Sequence, residues 1–173
     1  MHVIGIDPSL TGTGIAWGDE SEKVLTPSAT TIRGQLQRMA IIASRVALRL
    51  HPGSVVVMEG PGFSRGGQKG HHALAGLWWV LAATVVGAGC TLIEIKPNVL
   101  KKFATGKGSA DKDLMRAAWL ERTGADVRDN DRVDALWLHQ VGLHLVHAPA
   151  ALDLPKDQLD AIEGLRGQLP TSG

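Results

Sequence analysis

Val55-Val56-Val57-Met58 is an unbroken apolar, mostly β-branched run, bounded by His51-Pro52-Gly53 on one side and Gly60-Pro61-Gly62 on the other. A strand without polar alternation is buried on both faces, so a chain that contains one must cover both sides of its sheet with helices. The flanking sequence supplies them. Gln35 to Leu50 places Leu36, Met39, Ala40, Ala43, Val46, Ala47 and Leu50 at helical spacing. His72 to Gly87 reads as a very apolar helix, and Thr91 to Ile95 as a second short buried strand. Ahead of these, Val3-Ile4-Gly5-Ile6, Ile15-Ala16-Trp17 and a third extended stretch from Lys23 to Thr31 are joined by tight turns, which predicts an antiparallel meander. Pro97 opens a short helix. Asp111 to Arg122 predicts a helix with Leu114, Ala117, Ala118 and Trp119 on one side, and Asp129 or Asn130 caps a last helix to about Val146. The order predicts an α/β fold, a mixed five-stranded sheet with helices on both faces.

The chain of 173 residues matches one ordinary domain. We place that domain at 1–148. Residues 149–173 hold three prolines and few large apolar residues, and are expected to form a C-terminal tail, flexible or partner-binding. Leu159, Ile162 and Leu165 could form one weak helical face there. A single cysteine excludes a disulfide scaffold and a four-thiolate zinc site. Cys90 reads as a small buried hydrophobe. No apolar run approaches the ~20 residues that span a bilayer. Met1 to Asp7 lacks the zones of a signal peptide. The expectation is a cytoplasmic protein without a membrane partner.

Four carboxylates stand at the ends of these elements. Asp7 closes the first strand and Glu59 the first helix-connected strand. Asp131 and Asp134 lie three apart at the start of the last helix, hence on one face about one turn apart. An acid at the end of a buried strand is costly unless it is paired or faces a cation. Oxygen-only ligands suit Mg²⁺ or Mn²⁺ rather than zinc. Such a cluster can hold two ions and drive in-line attack on a phosphodiester. Each acid alone also has a plain reading: Asp7 as a turn residue, Glu59 as a solvated strand end, Asp131 and Asp134 as first-turn partners of the helix dipole.

The motifs in order resemble a known family. Ile4-Gly5-Ile6-Asp7-Pro8-Ser9 with Thr11-Gly12-Thr13-Gly14 resembles the opening of the RuvC Holliday-junction resolvases. Val56-Val57-Met58-Glu59 resembles their second acidic strand, Lys101 to Lys112 their lysine- and glycine-rich segment, and Asp131-Arg132-Val133-Asp134-Ala135-Leu136 their final acidic helix. The resemblance spans about residues 3–145. It implies an RNase H-like fold, a homodimer, and Mg²⁺- or Mn²⁺-dependent cleavage of four-way DNA in recombination and repair, with two ions per site. It implies that Asp7, Glu59, Asp131 and Asp134 bind metal. It also implies that Lys101 and Lys112 approach the DNA backbone, with Lys112 nearer the scissile phosphate. The family's stacking aromatic lies three residues after the second acid; here Gly62 holds that place and Phe63 follows.

With a formal net charge of +1, affinity for nucleic acid must be local. Residues 96–116 hold Lys96, Lys101, Lys102, Lys107, Lys112 and Arg116 against Asp111 and Asp113, a local +4. Residues 61–72 add Arg65, Lys69, His71 and His72 with no acid. These two segments are the expected DNA contacts. His71 and His72 read as a solvated helix start and His139 as helix surface, while His144 and His147 lack partners for a zinc site. Trp78 and Trp79 suit core or subunit-interface packing better than base stacking.

Alternatives within the nucleases are flap, fork or RNA–DNA hybrid substrates. A catalytically silent DNA-binding module would be expected to lack an acid, and all four are present. A two-lobed nucleotide-handling ATPase needs more chain than this. The Gly106-Lys107 loop fails as a phosphate loop, because Gly108 stands where Ser or Thr is needed.

Overall fold

The computed structural model describes residues 1–61 and 71–170. Strands β1 (Val3–Asp7), β2 (Thr13–Trp17) and β3 (Glu20–Val24) form the antiparallel meander. Helix α1 (Ile32–Ala47) leads to β4 (Val55–Glu59), and α2 (His71–Gly87) to β5 (Thr91–Ile95). Both crossovers return parallel, so the sheet order is β3-β2-β1-β4-β5. Helices α3 (Pro97–Thr105), α4 (Lys112–Thr123) and α5 (Asn130–Leu145) follow, then a short α6 (Lys156–Asp160) and a 3₁₀ helix (Glu163–Gln168).

The sheet divides the core in two. Ile4, Ile6, Val56 and Met58 point to one face, where Met39, Ile42 and Val46 of α1 and Leu77, Leu81 and Val85 of α2 pack. Val55 and Val57 point to the other, against Phe103, Trp119, Trp137 and Val141 from α3, α4 and α5. Strand period two therefore puts Asp7 and Glu59 on the α5 side. That side is unusually close: a side chain at Gly5 would collide with the backbone of Ala135 and His139, and one at Gly14 with the Asp131 carbonyl. Two glycines in adjacent strands let α5 lie directly on the sheet.

Several boundaries differ from the sequence reading. The third strand is Glu20–Val24, not Lys23 to Thr31, because a turn with Gly18 at φ +51° folds the chain back at once. Helix α1 starts at Ile32, where the Thr31 hydroxyl accepts the Gly34 N–H. In α4 the inward residues are Met115 and Trp119, and Leu114 is exposed. Strand β5 is an edge, with Ile93 and Ile95 buried and Glu94 in solvent. The expectation of a loosely held tail is corrected through residue 170. Leu154 and Ile162 are buried in the α5-side core. The Gln168 amide accepts from Glu94 N–H at 2.9 Å and donates to its carbonyl at 3.1 Å, so it completes the open edge of β5. Among the described residues no helix is long and apolar enough to cross a membrane.

Candidate active site

β1 and β4 run parallel with Ile6 beside Met58, so Asp7 and Glu59, one residue on, leave the sheet side by side. The first turn of α5 lies over them. Asp129 caps that helix, its carboxylate accepting the Arg132 N–H at 3.0 Å. This fixes the phase that turns Asp134 inward, where it is 7% exposed. Asp131 sits one turn nearer the helix start, half-buried. The close approach at Gly12 and Gly14 makes this placement possible, since a Cβ at Gly12 would fall 2.7 Å from Asp131 Oδ2. The four acids and Lys112 meet at this one edge.

Lys112, first residue of α4, hydrogen-bonds Asp134 Oδ2 with its ammonium. Lys101 lies close enough for its charge to act on both Glu59 and Asp134. Lys102 and Lys107 are exposed on α3 and the loop after it. Phe63, Arg65 and Lys69 lie outside the described residues. One member escaped the sequence reading. Lys23 of β3 pairs with Asp131 at 2.6 Å and Asp129 at 2.9 Å. Its partners are more than a hundred residues away, and no local pattern links them. His139, expected at the surface, is buried at 4% exposure because α5 is covered nearly all round. Burial pushes its pKa down to about 4, with the nearby His2 adding to the effect.

A cleft of about 50 Å³ opens between Asp7, Glu59 and the apolar wall of Leu74 and Trp78. Trp78 Nε1 donates to the Glu59 carbonyl at 3.1 Å and anchors α2 there. Asp7, Glu59 and Asp131 are half-buried and Asp134 is buried. Burial, then the charges of Glu59 and Asp134, hold the Asp7 carboxyl well above the usual carboxylate range. Burial and Asp134 push Glu59 to about 7. Burial also raises Asp134, against the opposing hydrogen bond from Lys112. For Lys112 burial is the largest influence and works toward deprotonation, but the bond to Asp134 and the charges of Asp134, Asp7 and Asp131 together outweigh it and the pKa is raised. Buried like charges of this kind call for a cation. The all-oxygen donor set fits a hard divalent ion such as Mg²⁺ or Mn²⁺. The carboxylates nevertheless stand open: among the described residues no three acid, His or Cys side chains are gathered tightly enough to hold an ion as they stand.

The sheet order, the parallel and antiparallel halves, and the helix laid across the glycines define an RNase H-like fold of the RuvC type. No protein-family model matches the chain, and no curated protein matches it in sequence. Among solved structures it is similar to RuvC of Thermus thermophilus, with a TM-score of 0.64 and 21% identity, over 88% of this chain and 99% of that one. It is similar too to T. thermophilus RuvC in complex with a Holliday junction substrate, with a TM-score of 0.66 and 20% identity, over 86% of this chain and 97% of that one.

Proposed function

We propose that the protein is a divalent-metal-dependent endonuclease that cuts four-way junctions and related branched DNA, as a homodimer, in DNA recombination or repair. The convergence of Asp7, Glu59, Asp131 and Asp134 at one edge of a RuvC-type sheet carries the reading. The RuvC structure bound to a Holliday junction supports the choice of substrate.

In this reading the four carboxylates hold two Mg²⁺ or Mn²⁺ ions. Bound divalent ions supply Lewis-acid stabilisation of the charge that builds on the reacting phosphate. Asp7 and Glu59 must be ionised for the site to load; Glu59 ionises as pH rises through about 7, and Asp7, also raised, adds to the gain of loading with pH. Lys112 stays protonated, and in this reading it stabilises the charge that builds on the phosphoryl oxygens. Water attacks phosphorus and the 3′-oxygen leaves, giving 5′-phosphate and 3′-hydroxyl ends. Lys101, Lys102 and Lys107, with Arg65 and Lys69, neutralise backbone phosphates and position the duplex arms. Trp79 and Val86 on α2 and Ile32 and Leu36 on α1 are large exposed apolar residues on one face of the sheet, and we assign them to the contact with a second copy. A twofold dimer presents two acidic sites to a substrate of similar symmetry.

The test uses a labelled immobile four-way junction and a matched linear duplex, each with Mg²⁺ and with chelator, beside the Asp7→Asn variant. Paired symmetric nicks in the junction, lost in chelator and in Asp7→Asn while junction binding survives, are the expected result. Equal cutting of flaps and forks would widen the substrate class. Binding without cleavage under any divalent ion would make the protein a silent DNA-binding module. Loss of both binding and cleavage in Asp7→Asn would make Asp7 a structural residue.

A further inference from the structure

The edge strand β3 sends one side chain into the acidic edge. Lys23 Nζ lies 2.6 Å from Asp131 Oδ2 and 2.9 Å from Asp129 Oδ2. Its two partners do different work. Asp129 already caps α5 through the Arg132 N–H. Asp131 caps nothing, and among the described residues its ion-pair partner is Lys23. The space around the pair is tight: a Cβ at Gly12 would fall 2.7 Å from Asp131 Oδ2 and 3.1 Å from Lys23 Nζ. Lys112 stands in the same relation to Asp134 from another element. Each acid of the Asp131-x-x-Asp134 pair thus faces a lysine ammonium.

An ammonium and a divalent ion compete for the same lone pairs on Oδ2, and two cations crowded on one oxygen repel. Because Asp129 is a second acceptor, Lys23 can release Asp131 without losing every partner. We propose that Lys23 is a resident counter-ion of the acidic edge: it holds Asp131 while the site is metal-free, retreats to Asp129 when a divalent ion loads, and so raises the metal concentration the site requires. The inference rests on the reading of Asp131 as a metal ligand. Lys23 is in this view a positioning residue, acting through Asp131.

The full chain, without DNA, is titrated with Mn²⁺ by calorimetry and by the loss of the free-ion paramagnetic resonance signal. The variants are Lys23→Met, which keeps the stem and removes the charge, Lys23→Gln as a second neutral form, Lys23→Arg and Asp131→Asn. The neutral variants are expected to bind Mn²⁺ roughly fivefold more tightly, the worth of a partly exposed ion pair. Lys23→Arg should restore the wild-type affinity and Asp131→Asn should weaken it. Thermal unfolding gives a second readout: the rise in Tm on adding Mn²⁺ should be larger in Lys23→Met than in the wild type. Neutral variants that melt cooperatively yet bind Mn²⁺ as the wild type does, or more weakly, would overturn the proposal. If the wild type binds Mn²⁺ and Asp131→Asn binds it equally well, the ligand role of Asp131 falls, and this inference with it.

Discussion

Helices α2 and α5 lie on opposite faces of the same sheet, and the more polar of the two is the more buried. From Val133 to Leu143 every residue of α5 is buried, including Asp134, His139 and Gln140. Helix α2 has no Asp, Glu, Lys or Arg, yet Trp79 is 70% and Val86 61% exposed. Backbone fit and local satisfaction explain the first. Gly5 and Gly14 let α5 settle on the strands, and Gln140 is satisfied by the Leu152 N–H at 2.9 Å. His139 stays neutral, and the acids gather where a cation can meet them. No described contact covers the exposed residues of α2, and our assignment of a second copy there follows from that. Composition alone ranks the two helices the wrong way round, because burial depends on how closely a helix can approach the sheet.

The largest effect should come from breaking that approach. Gly14→Val drives a branched side chain into the α5 backbone at Asp131, where neither strand nor helix can yield. We expect a loss of about 3 kcal/mol or more, with a lower urea midpoint and no binding of Mn²⁺. A variant with wild-type stability would show that α5 can lift from the sheet, and the account of its burial would be wrong.

The next test sets two buried groups of the α5 side against each other. Glu59 has its pKa raised from the usual 4.5 to about 7, so its contribution is fully present below 4.5 and is lost as pH rises through 7. His139 is lowered from 6.5 to about 4, so its contribution is present above 6.5 and lost as pH falls through 4. Between about 4.5 and 6.5 the slopes oppose, each worth on the order of 2 kcal/mol across the window. In chelator, Glu59→Gln should therefore gain stability from pH 4.5 to 6.5, while His139→Phe should lose it. Urea unfolding at three pH values decides the matter, and parallel profiles for the two variants would refute both assignments. Saturating Mg²⁺ should restore stability to the wild type at pH 8, where the unneutralised acids cost most.

Much of this was legible in the sequence because the informative residues sit at boundaries. His51-Pro52-Gly53 and Gly60-Pro61 bracket β4, and Asp7 and Glu59 each close a strand, so the sequence placed each at a strand end, and the parallel pairing of β1 with β4 brings them to one edge. The features that escaped have no local signature. Lys23 meets Asp129 and Asp131 only through the sheet order. His139 is hidden because a helix buried all round shows no amphipathic stripe to betray its inner face. In the C-terminal stretch the weak face of Leu159, Ile162 and Leu165 does pack on the α5-side core, and what escaped is Leu154, which joins it from a turn-rich segment without a period.

The smallest effect on stability should come from α2, and it bears most directly on the comparison. Trp79 touches Trp78 edge-to-face at 5.0 Å between ring centroids, but most of its surface faces solvent. Trp79→Ser removes little that the single chain buries, so its unfolding free energy should stay within about 0.5 kcal/mol once measured at a concentration where only monomer is present. The change should appear in association: light scattering should show a dimer for the wild type and a monomer for Trp79→Ser at equal micromolar concentration. Junction cutting by the variant should then lose its paired symmetry while single nicks persist, because each acidic edge is complete within one chain. A variant that remains dimeric would move the interface away from α2. A variant that unfolds would mean that Trp79 belongs to the core, and the contrast between the two helices would be smaller than their exposures suggest.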